Sequence, residues 1–177
     1  DWNTGDPLDP TKQLGAMIDA GHFAKVSGYL NEGKSAGHEV VLGGETMDGI
    51  FIQPTVFDGV CNSDKLAQEE IFGPVLSVIT VASYDEAIQV ANDTEYGLAA
   101  SVFTANAKKA LRAAQAIKAS TVTVNCFGEG DITTPFGGYM QSGFGGRDNS
   151  IHAHDQYTEL KTIWVDLSDD AVDGCVD

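Results

Sequence analysis

The sequence predicts an α/β fold built on a layered parallel sheet, and three observations carry that reading. Between residues 75 and 124, apolar runs alternate with helical patterns in the order strand, helix, strand, helix, strand. The run Val75-Leu76-Ser77-Val78-Ile79-Thr80-Val81 is almost continuously apolar, the pattern of a central strand covered on both faces. A chain of 177 residues with 42% hydrophobic content is long enough for one main domain with a sizeable core. Crossovers between such strands are right-handed, and ligands gather at the carboxyl ends of the strands.

The elements follow in order. Gly5-Asp6-Pro7-Leu8-Asp9-Pro10 is turn chemistry: the prolines fix φ and the aspartates bond nearby amides. From Asp19 to Ala36, Phe23, Val26 and Leu30 recur at near-helical spacing, with Gly37 placed to end the helix. Glu39-Val40-Val41-Leu42 reads as a short strand stopped by Gly43-Gly44. Ile50 to Ile52 and Thr55 to Phe57 read as extended segments interrupted by Pro54. Ser83-Tyr84-Asp85-Glu86 is a capping box for a helix running to Asn92. Ala100 to Thr104 is the next strand, Asn106 the next cap, Ala107 to Ile117 an alanine-rich helix, and Thr121 to Val124 the strand it feeds. Residues 128–147 hold seven glycines and no periodicity, so a long irregular loop follows that strand. Ser150 to Tyr157 suggests a short helix, and Lys161 to Asp166 a last strand.

Composition narrows the function. The 26 acidic against 10 basic residues give a formal charge of −16, which repels phosphate backbones and argues against a nucleic-acid partner. The acidity thickens after Asp166 into a predicted exposed tail, and eight Lys with two Arg is also a balance compatible with high salt. No run approaches the roughly 20 apolar residues of a membrane helix, and Asp1-Trp2-Asn3-Thr4 lacks a signal layout, so the reading is cytoplasmic with no membrane partner. Cys61, Cys126 and Cys175 are widely separated and outside CxxC spacing, which predicts reduced thiols rather than disulfides or zinc. His152 and His154, two apart, make no metal set, so no metal is expected.

The motifs that carry chemistry are Gln68-Glu69-Glu70-Ile71-Phe72-Gly73-Pro74, Pro135-Phe136-Gly137-Gly138-Tyr139 and Ser142-Gly143. In this order they resemble the C-terminal part of the NAD(P)-dependent aldehyde dehydrogenases, and the similarity runs from about Gly5 to Leu167. Asp6-Pro7-Leu8-Asp9-Pro10, Gly130-Asp131-Ile132-Thr133, Arg147-Asp148 and Thr158 to Trp164 are most like the bacterial γ-glutamyl-γ-aminobutyraldehyde dehydrogenases. The resemblance implies a Rossmann-like layered sheet belonging to the catalytic domain over residues 1–158. It also implies an oligomerisation strand over 159–167, ahead of the acidic tail 168–177.

It further implies an enzyme that oxidises an aldehyde to its acid with NAD or NADP. Glu70 would accept hydrogen bonds from the nicotinamide ribose, since a carboxylate takes both hydroxyls, and Phe72 would lie at the nicotinamide end. Read without the family, the better reading is the bland one, with Glu70 a solvated surface carboxylate and Phe72 a core anchor beside a turn. Phe136 would line the substrate tunnel, with Cys126 beside it. Where relatives acting on apolar aldehydes often carry an aromatic, this chain has Glu129-Gly130-Asp131, an acidic mouth suited to an amino-aldehyde of polyamine breakdown. The bland alternative is a solvated charged loop.

No segment resembles the family's motifs around the nucleophilic cysteine or the general-base glutamate, so no catalytic residue is expected in this chain and the isolated chain is expected to be inactive. Two alternatives stay open: a free-standing truncated relative that binds nucleotide or pairs with full-length subunits, and an interaction module built on the last strand. By resemblance, that strand reaches another subunit of a homodimer or homotetramer. Met140 replaces a usual lysine, Ser120 a usual glycine, and Ser142-Gly143-Phe144-Gly145-Gly146-Arg147 carries one glycine more than the family pattern, so Arg147 is given no catalytic role.

Overall fold

The computed structural model describes residues 2–128 and 130–167. The chain divides into two compact units, Asp1–Glu95 with Leu111–Lys118, and Tyr96–Ala110 with Ala119–Asp177.

In the first unit the opening segment is the predicted turn region. The Asp6 and Asp9 carboxylates each accept the amide two residues on, at Leu8 and Thr11, both at 2.9 Å. Helix α1 spans Ala20–Ala36. Asp19 caps it by accepting the His22 amide at 2.7 Å, and Gly37 ends it in the left-handed region at φ 85°. There His38 N–H reaches Gly33 O and Gly37 N–H reaches Lys34 O, the paired bonds of a Schellman ending.

Strands β1 (Glu39–Leu42), β2 (Thr46–Met47), β3 (Phe51–Ile52) and β4 (Thr55–Asp58) follow, then the short helix α2 (Lys65–Gln68), strand β5 (Val75–Ser77) and helix α3 (Tyr84–Asn92). β1 and β4 pair antiparallel, β4 and β5 pair parallel, and β2 and β3 form a separate two-stranded ribbon. α3 has the anticipated capping box: Ser83 Oγ accepts the Glu86 amide at 3.1 Å and Glu86 reaches back to the Ala82 amide at 2.7 Å.

The core of this unit joins Val26 and Leu30 of α1 to Ile52, Phe57, Val60, Leu66 and Ile71, with Met17 at its edge. Gly33 completes the packing, because a Cβ there would meet the Phe57 ring at 2.8 Å. Thr55, the buried polar residue, is satisfied: its hydroxyl donates to Gln53 O and accepts from Gly44 N–H, each at 2.9 Å.

The second unit holds β6 (Tyr96–Gly97), β7 (Ala99–Val102), the start of helix α4 (Ala107–Ala116), β8 (Thr121–Val124), β9 (Tyr139–Met140) and a 3₁₀ helix (Ile151–Tyr157). β7 and β8 pair parallel in register from Ala99↔Thr121 to Val102↔Val124, and β6 pairs antiparallel with β9. Asn106 caps α4 through the Lys109 amide at 3.0 Å, as its position in the sequence predicts.

The fold is mixed α/β: the parallel pairs β4–β5 and β7–β8 are each connected through a helix, α2 and α4, and the pairs β1–β4, β2–β3 and β6–β9 are antiparallel. Two local expectations differ. The run 75–81 is not a central strand: β5 covers three residues at the edge of its sheet, and Leu76 is 59% exposed. Continuous apolarity predicts cover on both faces, and a central place also needs a strand on each side; among the described residues only β4 pairs with β5, and the face carrying Leu76 is uncovered. Residues 161–166, expected as a strand, form no ladder among the described residues, and Ile163, Trp164 and Val165 are exposed. A strand needs a partner backbone, and none of the described strands supplies one. Among the described residues, no helix is long and apolar enough to cross a membrane.

Candidate functional site

The segment Glu69 to Pro74 leaves α2 and crosses the face of α1. Gln68 anchors its start by donating to Asn62 O at 2.6 Å and Asp93 O at 2.9 Å. Ile71 is buried in the core, so its flanking neighbours Glu70 and Phe72 are turned outward. Phe72 sits in the left-handed region at φ 58° with 66% of its surface exposed, which is unusual for a bulky residue and costs backbone energy. Three α1 side chains, at His22, Lys25 and Tyr29, hold this geometry. His22 Nε2 meets Phe72 O at 2.6 Å, Lys25 Nζ donates to Glu70 O at 3.3 Å and lies 5.4 Å from the Phe72 ring centroid, and Tyr29 Oη donates to Glu69 Oε2 at 2.6 Å. Gly73 lets the turn lie flat on α1, because a Cβ there would meet the Val26 methyls at 2.6 and 2.8 Å.

The two neighbouring carboxylates therefore differ. Glu69 is tied to Tyr29, whereas the Glu70 carboxylate makes no hydrogen bond or ion pair among the described residues and faces solvent. Glu69, Glu70, Phe72 and Gly73 line an open cleft of about 420 Å³ together with Leu66, Ile71 and Ser77. A free carboxylate beside an exposed aromatic ring suits a polyhydroxylated ligand with a flat ring attached, as a nicotinamide nucleoside is. The sequence-predicted pair Glu70 and Phe72 thus comes together in one cleft. His22, Lys25 and Tyr29 were not anticipated, although their spacing of three and four residues on one helix face is a legible sign of a shared surface.

In the second unit the carboxyl ends of β7 and β8 are clasped by one side chain. Asn125, at φ 55°, accepts the Thr104 amide at 2.8 Å and donates to Thr104 O at 3.0 Å. Cys126 follows it as an exposed free thiol whose carbonyl accepts the Thr123 hydroxyl at 2.9 Å. Asp131 is exposed and folds its own loop: its carboxylate accepts the Thr133 hydroxyl at 2.5 Å and the Thr133 amide at 2.7 Å. These bonds, the hydroxyl's first, hold its pKa below the ordinary 3.8. Phe136 is half-buried and bridges Asp148 through both backbone groups, at 2.8 and 2.6 Å. No hydrogen bond joins Cys126, Asp131 and Phe136 to one another, and Glu129 lies outside the described residues.

The added glycine of the loop also has a structural role. Gly145 adopts φ 101° with open space around it, and Gly146 packs so closely on Gln156 that a Cβ would clash with it. Arg147 donates to Gly146 O at 2.6 Å and lies 5.4 Å from the Tyr139 ring, a local stacking role. Among the described residues, no group of His, Cys, Asp or Glu is arranged to hold a metal ion.

Comparison with known proteins follows the same motifs. The model of the aldehyde dehydrogenase family matches residues 1–163. The chain is 58% identical over 168 residues to aminoacetaldehyde dehydrogenase of Pseudomonas aeruginosa, covering 95% of this chain and 34% of that protein. It is 45% identical over 166 residues to the NADP/NAD-dependent aldehyde dehydrogenase PuuC of Escherichia coli, covering 94% and 33%. Among solved structures, indole-3-acetaldehyde dehydrogenase in complex with NAD+ superposes with TM-score 0.88 at 50% identity, covering 94% of this chain and 34% of that one. The aldehyde dehydrogenase KauB from Pseudomonas aeruginosa superposes with TM-score 0.87 at 49% identity, covering 93% and 34%. The chain therefore spans about a third of the length of the relatives it matches. With its motifs in order, its α/β units superposed and 163 residues matched, the chain belongs to the aldehyde dehydrogenase family.

Proposed function

We propose that these residues are the C-terminal part of an NAD(P)-dependent aldehyde dehydrogenase, and that the Glu70–Phe72 cleft positions the nicotinamide end of its cofactor. The carrying observation is the contrast between Glu69, tied to Tyr29, and Glu70, whose carboxylate has no partner among the described residues and faces solvent beside an exposed Phe72 ring. NAD(P)+ supplies the oxidant that turns aldehyde and water into acid. Glu70 accepts hydrogen bonds from the ribose hydroxyls, and Phe72 presents an apolar face that excludes water from one side of the site. The cysteine nucleophile and the glutamate base belong to polypeptide outside this chain, and the 177 residues alone are inactive.

The substrate in this reading is an amino-aldehyde of polyamine breakdown, admitted past Glu129 and Asp131 and along Phe136 and Cys126. Two things support it: the acidic Glu129-Gly130-Asp131 sequence, and relatives whose names specify aminoacetaldehyde and NADP/NAD. Residues 1–158 form part of the catalytic domain. Residues 159–167, with Ile163, Trp164 and Val165 exposed, pair with another subunit of a homodimer or homotetramer. The reading places the protein in the cytoplasm, where exposed thiols such as Cys61 and Cys126 stay reduced.

The deciding experiment combines intact mass with a variant. A mass roughly three times the 18.7 kDa of this chain, with Glu70→Gln slowing NAD(P)+-dependent aldehyde oxidation, supports the enzyme. A mass of 18.7 kDa with no turnover replaces it by a truncated, non-catalytic binding or subunit-interaction module. Neutralising Glu129 and Asp131 together tests the substrate: amino-aldehydes should lose more rate than acetaldehyde, and equal losses would remove the acidic mouth from the account.

A further inference from the structure

We propose that His22 is a positioning residue for the cofactor-facing turn, acting through the carbonyl oxygen of Phe72; the inference rests on the function proposed above. Phe72 occupies the left-handed region at φ 58°, where a side chain larger than glycine is disfavoured, so the turn stays there only if its surroundings hold it. The side-chain hydrogen bond to the strained residue's own backbone comes from the His22 ring. Its Nε2 lies 2.6 Å from Phe72 O, and a carbonyl oxygen only accepts, so Nε2 carries the hydrogen. Nδ1 is buried without a hydrogen-bond partner among the described residues, so the ring is committed to this one bond.

The donor is also rigidly mounted. The His22 amide is itself taken by the Asp19 cap at 2.7 Å, which fixes the first turn of α1. Lys25, from the next turn of α1, donates to the Glu70 backbone O at 3.3 Å and stands 5.4 Å from the Phe72 ring centroid, and makes no bond to the Glu70 carboxylate, which has no partner among the described residues. Releasing the Phe72 carbonyl lets φ relax toward the extended region. That relaxation swings the Phe72 ring and re-aims Glu70 one residue beyond the buried Ile71.

The test uses the full-length polypeptide that carries these residues, with NAD+ and NADP+ as probes. His22→Leu keeps volume and removes the donor, while His22→Gln keeps an N–H. Loss of one such bond predicts a roughly five- to tenfold rise in KM for the cofactor, and Gln should return it to within about twofold. A role confined to stability would lower the denaturation midpoint and leave the cofactor KM unchanged. A raised KM in Leu that Gln restores supports the proposal. An unchanged KM in folded Leu, with Glu70→Gln impaired, overturns the His22 role alone, and unchanged behaviour in both variants overturns the cleft as well. Should Leu not fold, ¹⁵N imidazole spectra of the unmodified protein at alkaline pH decide: the hydrogen on Nε2 supports the bond, and on Nδ1 overturns it.

Discussion

Gly73→Ala is the sharpest test of how α1 carries the turn proposed to face the cofactor. The added Cβ would lie 2.6 Å and 2.8 Å from the two Val26 methyls, against about 3.5–4.0 Å for an unstrained carbon contact, so roughly an ångström of space must be made. Val26 cannot yield outward, because it is fully buried in the first unit's core and its branched side chain has one strongly preferred rotamer in a helix. The turn must lift instead, which stretches the 2.6 Å bond from His22 to Phe72 O. Overpacking of this kind costs about 1–3 kcal/mol, against which the stiffer unfolded chain returns about 0.4–1 kcal/mol, so the steric cost wins. Urea unfolding should show a lower midpoint at unchanged m-value, and the KM for NAD(P)+ should rise. Val26→Ala relieves the clash. The double variant should therefore be more stable than the sum of the single losses by about 1 kcal/mol or more. Additive losses, or Gly73→Ala with an unchanged midpoint and KM, would refute the close packing of the turn on α1.

The neighbouring glutamates should separate cleanly in steady-state assays. Glu70→Gln is expected to lower kcat/KM for the cofactor about tenfold with the unfolding midpoint held, whereas Glu69→Gln, which loses only the charge on its bond to Tyr29, should keep cofactor use. In the second unit, Asn125→Ala removes both bonds to Thr104 and should cost about 1–3 kcal/mol in denaturant, a loss that Asn125→Ser should reproduce. For Asp131 the folded pKa lies below the unfolded one, so its contribution to loop order is present above the ordinary 3.8 and fades as pH falls through the folded value. Carboxyl ¹³C titration should show Thr133→Val, which keeps the amide bond and loses the hydroxyl's, moving that pKa part of the way back toward 3.8, and an unmoved titration would remove the Thr133 hydroxyl bond as its largest cause.

Local chemistry was legible where one short stretch contains both partners of an interaction. Asp19 with Gly37, Ser83 with Glu86, and Asn106 each set a helix boundary in the sequence, and the structure places a cap at every one. The strands β1 and β8 fell where predicted for the same reason, bounded by their own breakers. What failed was whatever depends on a neighbour supplied from far along the chain. The run 75–81 has the composition of a central strand, but whether it is central is decided by its flanks, and only β4 lies beside it among the described residues. Likewise 161–166 has alternation enough for a strand and no described partner. α2 and β2 were missed because four and two residues are too few to show a period.

The site shows the same division at the scale of single groups. That a carboxylate and an aromatic belong together at 70 and 72 is readable from the motif, yet Glu69 and Glu70 are chemically identical in sequence. What distinguishes them is α1, forty residues away: Tyr29 bonds Glu69, and the Glu70 carboxylate has no partner among the described residues. Ile71 sets the phase: buried, it turns residues on either side outward, and of the two glutamates the one tied by Tyr29 is lost to ligands. The left-handed Phe72 then cannot be inferred from its own side chain, since nothing about phenylalanine favours it. It follows from a histidine placed one turn into α1 and a glycine at 73 that permits close approach. The cleft proposed for the cofactor is specified by the helix that backs it as much as by the residues that face it. Substitutions on the His22, Lys25 and Tyr29 face of α1 should therefore alter cofactor use even where the Glu70 to Pro74 motif is intact.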